Sequence, residues 1–302
     1  MGVLGFGGGN ATIRLVLDRQ EVAAGESVQA SVHVSGGRKD TQIDEARLRL
    51  VLENEYEWRD RDTGYDASTA GRLTTKTRIR RDTDRKVIAE QRFLEAGAVF
   101  ADTPSDHTLT VEIPLGSPPS GEGKITRVRW KVQATLARAR ARDISAELPL
   151  EVLSTADPDW IEPEEEVDSH GECALSLDLE KRAFGAGEPI EGTLVLSPDA
   201  ECKVNEVRVE LEREEEVPRG QGHGASVREA QAVVAGEVEL SPGLRVEYPF
   251  RIEVPPDPVP TLTTEQSTVT WRLKGVGSRR MRSDYNVAQE VLVHSARGAH
   301  LG

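Results

Sequence analysis

From Ala11 the chain alternates, with Ile13, Leu15 and Leu17 on one side and Arg14 and Asp18 on the other. A turn at Gly25-Glu26 follows. Val28, Ala30, Val32 and Val34 then continue the alternation on a return strand. A period of two over a handful of residues is the mark of a half-buried strand. The pattern returns later as CALSLDLEKRAFGAGEPIEGTLVLS, where Leu175 matches Ile13 and Gly187-Glu188 matches Gly25-Glu26, at an offset of 162. IDEARLRLVLE from Ile43 matches VNEVRVELERE from Val204 at an offset of 161. Thr110 to Val152 then matches the segment ending at Val293 without a gap, at an offset of 141. Within it Val111 faces Ile252, Pro114 faces Pro255, Trp130 faces Trp271, and Asp143 faces Asp284. A constant offset held so long is an internal repeat, so the chain is two copies of one β-domain.

The fall in offset from 161 to 141 gives the first copy 20 additional residues, between Glu55 and Ser105. YEWRDRDTGYDASTAGRL predicts a long hairpin or loop there. LTTKTRIRR and KVIAEQRFL read as strands, although Arg85–Phe100 also carries some helical character. DPDWIEPEEEVD, at 157–168, breaks every pattern and predicts an acidic interdomain linker. The expected organisation is a first β-domain over 1–156, a linker over 157–170 and a second β-domain over 171–302. The opening GFGGGN lacks the Lys-Ser/Thr pair of a phosphate loop and reads as a flexible arm. Many short strands, closely spaced turns and no long amphipathic helix predict an all-β chain with an antiparallel β-sandwich in each half.

Several stretches carry a family likeness: Pro249-Phe250, Pro255-Pro256, Val269-Thr270-Trp271-Arg272-Leu273, and Asp284-Tyr285 with Val291 and Val293. In this arrangement of strand, proline link and two further strands, the chain resembles the arrestin-like superfamily. Its opening copy, with Gly25–Gly37 and Gln42–Asp44, looks more like the bacterial sporulation-control (SpoOM-type) branch. The first copy departs by placing Leu109-Thr110-Val111 where the second has its aromatic Pro-Phe step. The resemblance implies two tandem arrestin-like sandwiches and a non-enzymatic adaptor or regulatory role. It implies protein partners, no cofactor, and a cytoplasmic place in a bacterium. Animal arrestins hold a buried charged core between their domains, and by resemblance Asp143 and Asp284 are candidates for such a core. A strand-end Asp capping a turn is the plainer reading of both. Trp130 and Trp271 read as the large core residues of their sandwiches.

Composition narrows the function further. The 302 residues include 52 acidic and 38 basic ones, a net charge of −14 that repels nucleic acid and anionic lipid at long range. No run approaches the length of a membrane span, and the N-terminus lacks a signal-peptide pattern. The only two cysteines, Cys173 and Cys202, point to a reducing compartment and read as buried or half-buried thiols. No CxxC or neighbouring His gives them a metal or redox role. His33, His107, His170, His223, His294 and His300 are scattered singly, and no hydrolase or metalloprotease motif is present. An enzyme is therefore not expected. Arg72, Lys76, Arg78, Arg80, Arg81, Arg85 and Lys86 crowd one region of this acidic chain. Arg78, Arg80 and Arg81 are the candidate face for an acidic or phosphorylated partner, against the alternative of solvated charge balance. Exposed strand edges offer a second binding mode and leave a dimer by sheet extension open. A small-ligand or carbohydrate module remains the alternative, with Tyr56, Trp58, Tyr65 and Trp160 as stacking candidates.

Overall fold

In the computed structural model, residues 11–66, 72–154, 166–168 and 172–295 are described, with backbone alone at 62–66, 72–75 and 166–168. The GFGGGN arm, the C-terminal tail and most of the acidic linker lie outside them. Among the described residues every regular element is a strand.

The first copy contributes β1 (Thr12–Leu17), β2 (Glu21–Ala23), β3 (Ser27–Ser35), β4 (Thr41–Ile43), β5 (Glu45–Asp66) and β6 (Arg72–Leu94). β7 (Gly97–Val99), β8 (Pro104–Glu112), β9 (Gly121–Glu122), β10 (Thr126–Ala137) and β11 (Ile144–Leu153) complete it. After β12 (Glu166–Asp168) come β13 (Cys173–Leu179), β14 (Ala183–Gly185), β15 (Pro189–Pro198), β16 (Cys202–Val204), β17 (Glu206–Val217) and β18 (His223–Ala235). The chain closes with β19 (Val238–Leu240), β20 (Val246–Glu253), β21 (Leu262–Thr263), β22 (Thr268–Ser278) and β23 (Tyr285–His294).

The two copies repeat one topology. Sheet β1-β3-β8 recurs as β13-β15-β20, and the order β2-β11-β10-β5-β6 recurs as β14 and β23-β22-β17-β18. The short pair β4-β7 recurs as β16-β19. β12 pairs antiparallel with β23. The 20 extra residues of the first copy lengthen the β5–β6 hairpin. Residues 85–94, which carry helical character in the sequence, belong to the single strand β6. Pairing with β5 decides that segment: propensity over a short stretch yields to a ladder formed along the whole hairpin.

Two compact units emerge. The first comprises Met1–Glu55, Arg81–Gly121 and Arg127–Leu153, and the second comprises Tyr56–Arg80, Glu122–Thr126 and Ser154–Gly302. The far half of the β5–β6 hairpin and the turn before β10 thus belong to the second unit, although the first copy encodes them.

Each core follows the alternation read from sequence. In the first unit Ile13, Leu15, Val28, Ala30, Val32, Leu48, Leu50, Val128, Trp130, Leu148 and Val152 are buried. In the second, Leu175, Leu177, Ile190, Leu194, Val209, Leu211, Trp271, Leu273, Val287 and Val291 form one apolar cluster. The repeat extends to single hydrogen bonds. Trp130 Nε1–H donates to the Pro118 carbonyl at 2.9 Å, and Trp271 Nε1–H donates to the Val259 carbonyl at 2.9 Å. Each proline-rich link is tied to the core by the indole it crosses, which satisfies the one polar atom of a buried Trp. Gly25 and Gly187 hold φ of 88° and 71°, where a side chain is strained. The Glu that follows each turns back: Ala23 N–H donates to Glu26 Oε2 at 3.3 Å and Gly185 N–H to Glu188 Oε2 at 2.8 Å.

Trp271 is fully buried, at 0% exposure. Trp271→Ala is expected to cost about 3–5 kcal/mol of unfolding free energy, measured by urea denaturation. A loss below ~1 kcal/mol would contradict its place at the centre of the second core.

Candidate functional site

Alternation along β6 puts Arg78 and Arg80 on one face of the strand and Arg81 on the other. All three are exposed. Arg80 Nε–H donates to Asp60 Oδ2 at 2.6 Å, within the second unit. Arg81 lies 3.3 Å from Glu55, within the first unit. Arg78 is also engaged with a neighbour. Arg80 and Arg81 are met by different carboxylates of the same hairpin. Arg85 and Lys131 continue this pairing with Glu53, at 3.6 and 2.7 Å. At matched positions of the repeat, Arg272 meets Glu214 at 3.4 Å.

Asp143 and Asp284 cap turns. Arg138 N–H donates to Asp143 Oδ1 at 3.0 Å and Arg279 N–H to Asp284 Oδ1 at 2.9 Å. Each Asp thereby closes the turn between the last two strands of its copy. Trp130 and Trp271 sit in the cores described above. Of the aromatic candidates, Tyr56 is buried against Ile125 and Val217, with Trp58 and Ala225 packed on them. The Arg219 guanidinium lies 4.7 Å from the centre of the Trp58 ring. Arg219 also donates to Tyr56 Oη at 2.6 Å. These rings are occupied from within the chain. The side chains of Tyr65 and Trp160 lie outside the described residues.

The most unusual site is one that the sequence motifs do not single out. Within the second unit the Glu215 carboxylate is fully removed from solvent, at 0% exposure. Its Oε1 accepts the Lys124 N–H at 2.7 Å, and its Oε2 accepts those of Ile125 and Thr126 at 2.8 and 3.1 Å. Arg213, itself 9% exposed, donates to Oε1 and forms a second bond from Nε to Glu229 at 2.8 Å. Gly123 borders the cluster closely: a Cβ there would stand 2.5 Å from Glu215 Oε2. Thr126 Oγ1 and Ser267 Oγ, matched positions of the repeat, lie 2.6 Å apart beside it.

Strand geometry explains how this arises. Val209, Leu211, Arg213, Glu215 and Val217 share the inward phase of β17. Two of those five positions carry charge, so the strand must supply their partners or the turn at 123–126 must. A buried ion is tolerated only when paired and hydrogen-bonded, and here one guanidinium and three backbone donors surround the carboxylate. The signal available in the sequence is EREEEV: an Arg and a Glu at inward positions among Val and Leu. Among the described residues no group of three or more His, Cys, Asp or Glu side chains gathers to hold a metal ion. No described helix is long and apolar enough to cross a membrane.

A protein-family scan matches the SpoOM protein family over residues 3–158 and 170–274, one region in each copy. No curated protein matches the chain.

Two experiments probe the cluster. Glu215→Ala strands three N–H donors and one guanidinium bond and is expected to cost about 3–5 kcal/mol. Gly123→Ala overpacks against the same carboxylate and is expected to cost about 1–3 kcal/mol. The double variant should be less destabilised than the sum, because the clash requires Glu215. Strict additivity in denaturant unfolding would contradict the contact.

The pH dependence follows from two other carboxylates of this unit. Burial opposes the charge of Glu188, yet Lys181 and the Gly185 N–H outweigh it and hold its pKa low. Burial likewise opposes the charge of Glu212, and Lys274 outweighs it. Depressed folded-state values stabilise the fold above the ordinary carboxylate range, near 4.5. That contribution is lost as pH falls through the folded values. The thermal midpoint should therefore drop below about pH 4.5. Lys274→Met should show a smaller drop between pH 7 and pH 3, and an equal drop would contradict the pairing.

Proposed function

Because the chain belongs to the SpoOM protein family, with both copies matched, we propose that it is a non-enzymatic, arrestin-like regulator in sporulation control that works by binding other proteins. Its cytoplasmic placement rests on the two-cysteine composition. The observation that carries the binding role is the long edge of the first copy. β6 spans Arg72–Leu94 and ends its sheet, pairing there with β5 alone in the strand order.

Natural sheets commonly blunt such an edge by keeping it short, charged or bulged. β6 is charged but long. Its apolar side chains Ile79 and Val87 stand 61% and 49% exposed between the charged ones. A partner segment in extended conformation can pair with that backbone, reading the exposed apolar and basic side chains at alternate positions. Arg78, Arg80 and Arg81 would then fix the register of an acidic partner, exchanging their present neighbours for carboxylates of the partner. β18 is the corresponding edge of the second copy, with Val233 exposed.

The test is a cross-linking pull-down from the source cell, with the full chain beside two variants. One variant reverses Arg78, Arg80 and Arg81 to Glu. The other is Val87→Pro, which removes one backbone donor from the edge strand. A partner retained by the wild type and lost by Val87→Pro, with circular dichroism unchanged, supports edge pairing. Equal recovery with all three proteins would contradict it.

A further inference from the structure

The chain has two cysteines and the fold brings them together. Cys173 opens β13 and Cys202 opens β16, strands that belong to different sheets, so no ladder forces their contact. The turn after β15 does. Asp199 and Ala200 donate their N–H groups to the Glu172 carbonyl at 2.9 and 3.3 Å, folding the chain back on the start of β13. Cys173 is buried at 1% exposure in the second core, and half-buried Cys202 packs on the same cluster. The Cys173 thiol donates to the Ala174 carbonyl at 3.8 Å, and Cys202 is its neighbour across the turn, packed on the same apolar cluster.

The surrounding charge is defined. Asp199 faces Cys173 from the turn. Tyr285 of β23 belongs to the apolar cluster on which Cys202 packs. The Tyr285 hydroxyl donates to Glu172 at 3.0 Å, and Arg279 donates to both Tyr285 Oη and Glu172 at 3.1 Å. Spacing alone conceals the pair: with 28 residues between them, the cysteines match no redox motif, and the turn at Asp199 makes them neighbours.

We propose that Cys173 and Cys202 form a dithiol–disulfide couple, oxidised by a hydroperoxide and reduced by a small-molecule thiol. Cys202 is the accessible member. Its thiolate attacks the peroxide, the O–O bond breaks, and a sulfenic acid forms with release of water or an alcohol. Cys173 then attacks the Cys202 sulfur, the S–O bond breaks, and a second water leaves as the S–S bond forms. Two electrons pass from the thiols to the peroxide, and both thiol protons end in the released products. Reduction by two equivalents of thiol reverses the change through a mixed disulfide. The thiolate is the reacting form in each attack. Burial, with the neighbouring Cys202 thiol, pushes Cys173 up to about 12. The closing step is therefore slow at neutral pH and faster in base.

Closure would tie β16, a three-residue strand paired with β19, to the β13 sheet. The oxidised chain should unfold at a higher temperature than the reduced one, because the bond removes freedom from the unfolded chain.

The full-length protein is incubated with hydrogen peroxide at pH 7 and pH 9, alkylated, and read by intact mass and peptide mapping. The expected result is loss of two hydrogens, a Cys173–Cys202 cross-linked peptide reversed by dithiothreitol, and faster formation at pH 9. Cys202→Ser, a substitution at the half-buried position, should leave Cys173 reduced under the same exposure. Sulfinic acid at Cys202 beside an alkylated Cys173 would overturn the proposal. So would two unmodified cysteines at pH 9. Neither result bears on partner binding at β6, which is tested separately.

Discussion

A carboxylate with no access to water sets a strict condition on its surroundings. Glu215 meets it with the Arg213 guanidinium and the N–H groups of Lys124, Ile125 and Thr126. Removing a carboxylate from water costs several kcal/mol, so the turn segment must keep its donors aimed at one point. Gly123 is the residue before that segment. Any Cβ at this position would stand 2.5 Å from the carboxylate, which explains why the smallest residue occupies it. The condition thus holds a turn encoded by the first copy within the second compact unit.

Duplication makes this device easier to see, because one copy has it and the other does not. Both tie a tryptophan indole to a proline-link carbonyl, and both close their final turn with an aspartate. Both use a Gly-Glu pair in which a left-handed glycine precedes a glutamate that folds back on the turn. Several departures fall at this one cluster. Where the second copy has Arg213 and Glu215, the first has Leu52 and Asn54, and Gly123 is matched by Thr264. A feature shared by both copies serves the sandwich itself. A feature present in only one serves something the sandwich does not need, and a buried charge is the costliest such feature here.

Much of the architecture is legible in the sequence. Period-two alternation, two Gly-Glu turns and three constant offsets define both sandwiches, because a strand writes its burial directly into sequence. The insertion in the first copy reads as a hairpin or loop, and its described residues lengthen β5 and β6, while the helical character read over 85–100 gives way at 85–94 to pairing with β5. Site residues are harder to read. Arg78, Arg80 and Arg81 stand out by composition, yet the carboxylates facing Arg80 and Arg81, Asp60 and Glu55, lie across the hairpin. Ile125, a partner of Glu215, is 90 residues away from it, and the nearness of Cys173 to Cys202 depends on one turn. Pairing of that kind is a property of the tertiary fold, and a single sequence carries only half of it: the charged or nucleophilic member, without its neighbour.

The buried cluster holds the turn at 123–126, and binding at the edge of β6 is the role proposed for the hairpin. β5 and β6 supply residues to both units. The direct measurement is native-state hydrogen exchange at the Lys124, Ile125 and Thr126 amides, in wild type and in Glu215→Gln. Protection at all three in the wild type, with selective loss in the variant and an unchanged β22 core, is the expected result. Equal protection in both proteins would show that the carboxylate does not hold the turn.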